Sequence, residues 1–425
     1  MANEDDFWDY SSELALVRKF AHSKGGSPWA YLGAIMARAV TMIPYNVVMP
    51  GSIGGRVSTG LYVALVGDPG QGKGTSTSGS EELMPCDIHI AKLGSGEGII
   101  HQYAWRDKGD DEVQWYKRSI LFESSEAETM KALANRRDAT LMGEVRSAWM
   151  SEAIGFGYSD VRKRLILPKL SYRLSVLATF TPSLGSFLLD GIAEGTPQRF
   201  LFLPVNDPNI PDRKDRRDVT DQIILRLPSV DENEIVDVKV PKWIRDDMID
   251  AHTDKSRRDF GTMTDEEMLE THSNLLRLKV AFALGIILNS HRRDYRVTAD
   301  DWDLSDYVMG KHRETRDKLM TAAEAVANKK DKKEGKSLGV RYAASDEIRK
   351  VRPVEDRIME ILAKAKRAKS DGWVTGGKLR AVMSPRQREV FDGAISALES
   401  QGRIESEDTI VTINNHVKGR RHRAR

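Results

Sequence analysis

One glycine-rich string constrains this chain more than any other feature. The apolar run YVALV at 62–66 leads directly into Gly67-Asp68-Pro69-Gly70-Gln71-Gly72-Lys73-Gly74-Thr75-Ser76. A short, continuous apolar run predicts a buried strand. The glycines permit a bend that turns successive backbone N–H groups inward, where they can hold phosphate oxygens. A helix opening at the lysine aims its N-terminus at the same charge. Lys73 is placed to reach the β- and γ-phosphates of a nucleotide. A chance glycine-rich turn is the competing reading, and the preceding strand argues against it.

Four further runs share the short, bounded, apolar character of the first. They are DIHIA at 87–91, SILF at 119–122, RLSVLATF at 173–180 and RFLFLPV at 199–205. Alternation of such runs with helical stretches predicts an α/β core built on a parallel sheet. Composition narrows the class further. The 425 residues carry 65 Lys+Arg against 63 Asp+Glu, a net charge of +2, so any polyanion site must come from local clusters. Cys86 is the only cysteine, which excludes a disulfide scaffold and a cysteine-rich zinc site and fits a reducing compartment. The opening MANEDDFWDY is acidic and unlike a signal peptide, and no apolar run of 18 residues is read along the chain. The expectation is a soluble, cytoplasmic, multi-domain protein with no membrane span.

Along the chain, 1–50 reads as helical and 51–230 as the α/β core. Residues 231–328 read as a helical subdomain and 329–352, containing KKDKKEGK, as a charged mobile linker. The segment 353–417 predicts three helices and a hairpin. The first helix opens at Pro353, the third runs from Ser384 to Gly402, and RIESEDTIVTI supplies two short strands. Three helices followed by a hairpin form the winged-helix arrangement, a DNA-binding variant of helix-turn-helix. Arg386, Gln387 and Arg388 open the third helix and are its candidate DNA contacts. The segment 418–425, KGRRHRAR, reads as a basic tail.

The loop string matches the pattern GxPGxGKGT of adenylate kinases. Gly74 stands where a hydroxyl residue usually follows the lysine. Thr75 is therefore the first candidate Mg²⁺ ligand, and Ser76 the second. A carboxylate is needed to hold the metal's water shell and another to polarise attacking water. The run at 119–122 ends in Glu123, the candidate metal-side acid. Glu126 is the candidate base and Glu97 its rival. Thr179 and Thr181, ending the fourth run, are candidate γ-phosphate sensors. Arg199 is a candidate transition-state cation, acting in its own subunit or across an interface. The cluster Arg136, Arg137, Arg162, Lys163 and Arg164, with flexible Gly155 and Gly157 nearby, is a candidate DNA-backbone grip or a solvated basic face.

Taken in order, the helical lead-in, YVALVGDPGQGKGT, GSGEGII, SILFESSE, RLSVLATFTPSLGSFLL, TPQRFLFLPV and LLRLKVAFALGIILNSHRRDYRVTADDW resemble a family of phage- and plasmid-encoded P-loop ATPases. Members of that family are often fused to primase domains, and its domain has long been filed as one of unknown function. The likeness spans about residues 10–325. It implies a RecA-like core, ATP and Mg²⁺ as ligands, a homo-hexamer, single-stranded DNA in a central channel and other replication proteins as partners. Gly74, and Glu123 where an Asp is common, depart from the family pattern and weigh against efficient hydrolysis. The leading expectation is a helicase-like replication motor of a phage or mobile element. The alternatives are an ATP-switched initiator or loader that does not unwind DNA, and a nucleotide kinase suggested only by GKGT.

Overall fold

The computed structural model describes all residues except 1–2, 107–111, 125–139, 159–163, 182–190, 260, 290, 369–370 and 412–416. It describes only the backbone of 327–349, 409–411 and 417–419. Glu126, Arg136, Arg137, Arg162 and Lys163 lie outside the described residues. The chain forms two compact units, Met1–Ala327 and Asn328–Arg425.

Unit one opens with helices α1 (Glu4–Trp8), α2 (Ser12–Ser23) and α3 (Pro28–Met42). Asn3 and Asp6 form a capping box on α1, Ser11 caps α2, and Pro28 sits at the start of α3, where its missing N–H costs nothing. Helix α3 is buried on every side, as a helix apolar all round must be. Then come β1 (Val47–Met49), β2 (Val57–Ser58), β3 (Tyr62–Val66), α4 (Lys73–Leu83), β4 (His89–Lys92) and α5 (Gly96–Tyr103). They are followed by β5 (Ala104–Trp105), β6 (Gln114–Trp115), β7 (Ser119–Ser124), α6 (Leu141–Met150), β8 (Ile154–Phe156), β9 (Leu165–Leu167), β10 (Arg173–Phe180) and β11 (Phe200–Pro204).

The five expected runs form one parallel sheet in the order β11-β3-β10-β7-β4. Strand β10 is buried along all eight residues, which explains its unbroken apolar text. Its register sets Thr179 opposite Leu65 on one side and Leu177 opposite Glu123 on the other. Arg173, the first residue of β10, is fully buried. Its guanidinium donates to the carbonyls of Val40, Ile43, Pro44 and Val47, tying the end of α3 to the central strand. Burial pulls its pKa down to about 9.

The expected boundaries at 50 and 230 are not domain boundaries. Strand β12 (Val236–Asp237) pairs in parallel with β1, and one continuous core runs from Phe7 to Leu319. Helices α7 (Lys242–Ser256), α8 (Asp265–Leu269) and α9 (Ser273–Leu288) follow, and α9 packs on α3. Neither α3 nor α9 has enough polar surface to face water, so each covers the other. The stretch Asp265–Leu288 is long and apolar enough to cross a membrane by length and composition, yet 61% of its most apolar window is buried in this fold.

The charged segment 329–352 is helical, not an irregular linker. It falls within α10 (Ala299–Ala368), and Pro353 lies inside that helix instead of opening a new one. Its Lys, Glu and Ala residues are good helix formers. Unit two continues with β13 (Val374–Thr375), α11 (Gly376–Ala381), α12 (Pro385–Glu389), α13 (Phe391–Ser400), β14 (Ile404–Val411) and β15 (Val417–Ala424). Val354, Ile358, Leu362, Leu379, Phe391, Ile395 and Leu398 make its core. Each such side chain contributes about 1.5–3 kcal/mol by leaving water.

Three expectations fail in unit two. The single third helix breaks at Val390 into α12 and α13. Within RIESEDTIVTI, Ile404–Val411 is one strand, not two. The basic segment 418–425 is the middle strand of a three-stranded antiparallel sheet, order β13-β15-β14. Its arginines meet acids across the ladder. Arg423 bonds Glu405 at 2.8 Å, Arg421 pairs with Glu407, and Arg420 lies 3.5 Å from Asp408. The Arg421 and Arg423 guanidiniums also lie over the Trp373 ring at 4.9 and 4.7 Å. Removing Val417–Arg425 should therefore unfold unit two. Limited proteolysis should then cut rapidly within 374–411, whereas a dispensable tail would leave that segment as resistant as in the full chain.

Candidate functional site

The loop 67–72 joins β3 to α4 and closes by its own bonds. The Gly67 N–H donates to the Phe180 carbonyl, so the loop starts pinned to β10. Gly67 has no room for a side chain, because a Cβ there would lie 2.1 Å from Val205 Cγ2. Gly70 and Gly72 adopt φ of 86° and 81°, the left-handed region that favours glycine. The Asp68 N–H donates to Gln71 Oε1 at 2.8 Å. Lys73 Nζ donates to the carbonyls of Gly67 and Asp68, both at 2.8 Å. An ammonium has three donors, so one remains for an incoming anion. Partial burial lowers the Lys73 pKa, while Asp68 raises it.

A cleft of about 700 Å³ opens between α4 and the ends of β4, β7 and β10. Gly74, Thr77, Ser78 and Glu81 line it from the helix; Lys92, Glu123, Ser124 and Thr179 line it from the strands. Glu123 Oε1 is buried and has no hydrogen-bond partner among the described residues. Burial, then Glu81, pushes Glu123 above the usual carboxylate range; Arg38 opposes them. A carboxylate oxygen left in this way fits a divalent cation or its water shell. Among the described residues, no group of three His, Cys, Asp or Glu side chains converges on a metal position. Mg²⁺ held by one carboxylate and substrate phosphates needs none.

The hydroxyl assignment shifts. Thr75 is exposed and does not line the cleft, and its carbonyl accepts a bond from Tyr31 Oη at 3.3 Å. Ser76 is buried, its Oγ 3.5 Å from the Gly72 carbonyl. Gly74, Thr77, Ser78 and Glu81 share a helical face at spacings of three, four and seven, whereas each single step turns the helix by about 100°. The hydroxyl residues that line the cleft with Glu123 are Thr77 and Ser78, which the sequence reading passed over. Arg38 was also missed. It is the single charge in the otherwise apolar α3, which was a signal that something polar faces it.

Other candidates lie elsewhere. Glu97 borders a separate pocket of about 370 Å³ with Ile100, His101, Arg106, Phe156, Tyr158 and Arg164. Arg199 closes a 3₁₀ turn before β11, at the end of the sheet where Phe200 pairs with Tyr62. The phosphate loop leaves from the other end, about 17 Å away over five strand residues. Arg199 therefore does not reach the loop of its own subunit. Its guanidinium donates to the Gly195 carbonyl and lies 5.6 Å from the Trp149 ring centre. In unit two, Gln387 Oε1 accepts from the Ser384 N–H, closing a capping box on α12. Arg388 donates to the carbonyls of Arg380, Ala381 and Met383, finishing α11. Of the three, Arg386 is exposed and has no such internal role among the described contacts.

No protein-family model matches the chain, and no curated protein matches it.

A Cβ at Gly74 would meet no atom within 4 Å. Gly74→Ser should therefore fold normally and add a hydroxyl on the Glu123 side of the helix. It should lower the Mg²⁺ concentration needed for half-maximal nucleotide binding by several-fold, while Thr75→Ala changes it less than twofold. A larger effect from Thr75→Ala would return the ligand role to that residue.

Proposed function

We propose that unit one is a Mg²⁺-dependent ATPase of RecA-like architecture and that its turnover drives movement on DNA. The observation that carries this reading is the single cleft joining the Lys73 loop helix, Glu123 and Thr179. Strand β10 separates the loop strand from the acid strand by two inter-strand spacings, about 10 Å, which leaves room for a γ-phosphate, a metal and an attacking water. Lys73 would exchange its loop carbonyls for phosphate oxygens. The backbone N–H groups of Gly70, Gly72 and Lys73 would hold the β-phosphate, and Glu123 would hold the metal's waters. Mg²⁺, when bound, would neutralise charge developing on the phosphoryl oxygens. Thr179 would orient the γ-phosphate or the water.

The DNA part of the reading rests on a different surface. In the 370 Å³ pocket, Arg106 and Arg164 stand with the tilted ring pair Phe156 and Tyr158, 6.0 Å apart. Arg106 Nε is buried without a hydrogen-bond partner. Trp105 stacks on Tyr116 at 4.0 Å nearby in sequence. Aromatic faces beside arginines suit the bases and phosphates of a single strand. The turn between β4 and Glu97 runs from the ATP cleft to this pocket, so the two sites share one short segment. In unit two, helices around a three-stranded sheet support a winged-helix reading, with Arg386 as its remaining DNA contact. Ring assembly, as a hexamer, follows from the family resemblance and has no support from Arg199.

A second reading keeps the same site: an ATP-switched initiator or loader that binds DNA without unwinding it. Gly74 favours it, since a loop lacking the usual metal hydroxyl would hydrolyse slowly. Displacement of a strand from a forked duplex separates the two.

Lys73→Ala should reduce ATP turnover at least 100-fold, because the charge facing the β- and γ-phosphates is gone. Glu123→Gln should bind ATP near wild-type strength yet lose turnover to a similar extent. Steady-state phosphate release and equilibrium nucleotide binding check both, and wild-type-like turnover in Lys73→Ala would remove the ATPase reading.

A further inference from the structure

The end of the sheet opposite the phosphate loop holds a second, differently built cavity. It measures about 400 Å³ and lies between α7, the first turn of α9 and the segment 50–57. Met150, Met248, Met263, Ile53, Leu275 and Leu278 give it an apolar body. Methionines fit such a pocket to rings and chains of varied shape. Its polar lining is one-sided: Lys255, His252 and His272 are present, and no acid lines it.

The charge behind the wall has the same sign. Lys279 is fully buried, donating to the carbonyls of Gly60 and Trp149 at 3.1 and 2.8 Å, with its Nζ 3.8 Å from the Trp149 ring centre. Arg199 is largely buried beside the same ring, and its Nε has no hydrogen-bond partner. His272 is pushed down to about 4, first by burial and then by Arg199, Lys279 and Lys255. Glu270 is the acid nearest in effect to Lys255, and it is already bonded to Arg316 at 2.7 Å. Among the described residues, Lys255 donates to a neutral acceptor, the Glu270 carbonyl, at 2.9 Å. The α9 N-terminus adds a partial positive charge to the same wall. An apolar cavity of this size with excess positive charge is complementary to one ligand chemistry.

We propose that this cavity binds a small amphipathic anion: an aromatic or aliphatic body among the methionines, with a carboxylate, sulfonate or phosphate group against Lys255 and His272. The site is separate from the nucleotide cleft and does not rest on the ATPase reading. It also gives Arg199 a place, as one of the cations whose field favours the anionic group.

Two fluorescent probes of the same shape test it on the full chain: the sulfonate 8-anilinonaphthalene-1-sulfonate and its neutral relative N-phenyl-1-naphthylamine. The wild-type protein should bind the sulfonate at one saturable site, at least tenfold more tightly than the neutral probe. Lys255→Gln should keep the neutral probe's affinity and reduce the preference for the anion to less than threefold. Ala251→Trp, which fills the cavity from α7, should abolish both, with thermal unfolding showing that each variant is folded. Equal affinity for the two probes in the wild type would overturn the proposal and mark the cavity as an apolar docking face for a protein segment. Sulfonate binding undiminished in a folded Ala251→Trp variant would overturn it as well, since the probe would then sit elsewhere.

Discussion

Two-sided pairing of the central strand is the constraint on which the rest of unit one depends. Strand β10 has β3 on one side and β7 on the other, and both registers end within a residue or two of the same edge. A slip of one residue on either side would exchange the two faces of that strand. Glu123 would then leave the cleft, or the Gly67 N–H would lose the Phe180 carbonyl that starts the loop. Burial on both faces makes such a slip costly, because it would carry polar ends into the core. Arg173 fixes the other end of β10 by donating to four carbonyls at the end of α3 and in the segment after it.

Parallel pairing also sorts the chemistry between the two ends of the sheet. All five strands point the same way, so the phosphate loop, Glu123, Thr179 and the β4 turn gather at one edge. Arg199, Lys279, His272 and the apolar cavity gather at the other. Between them lies an apolar interior in which Lys279 and Arg173 are buried with their charged groups bonded to carbonyls. Lys279 holds the carbonyl of Gly60, two residues before β3, so the cation-rich end grips the strand that ends in the loop.

Continuous apolar text made β3, β7, β10 and β11 legible in the sequence, because strands buried on both faces need no polar alternation, whereas β4 is a half-exposed edge strand. Glu123 was legible for the same reason: an acid ending such a run has to stand at the sheet's edge. Side-chain direction on α4 was harder to read. Thr75 and Thr77 differ by two residues, and two helical steps turn the chain by about 200°, which decides which residue lines the cleft. For Arg199, strand direction disfavours a role in its own subunit and leaves the one across an interface untouched. Arg199 opens its run, and the start of a parallel strand lies opposite the ligand end. In unit two, KGRRHRAR resembled a solvated tail because its partners Glu405, Glu407 and Asp408 lie more than ten residues upstream, and only the ladder brings them opposite. The limits at 50 and 230 were drawn where composition changes, but α3, α9 and β12 bury their apolar faces against the same core.

Titration of the full chain with ATP, with and without Mg²⁺ and followed by heat release, tests the central claim most directly. The cleft lined by the helix that follows the Lys73 loop, by Glu123 and by Thr179 predicts one ATP per chain, bound at least tenfold more tightly with Mg²⁺ than without. No binding, or equal affinity with and without the metal, would contradict a site in which Glu123 and the phosphate loop act together.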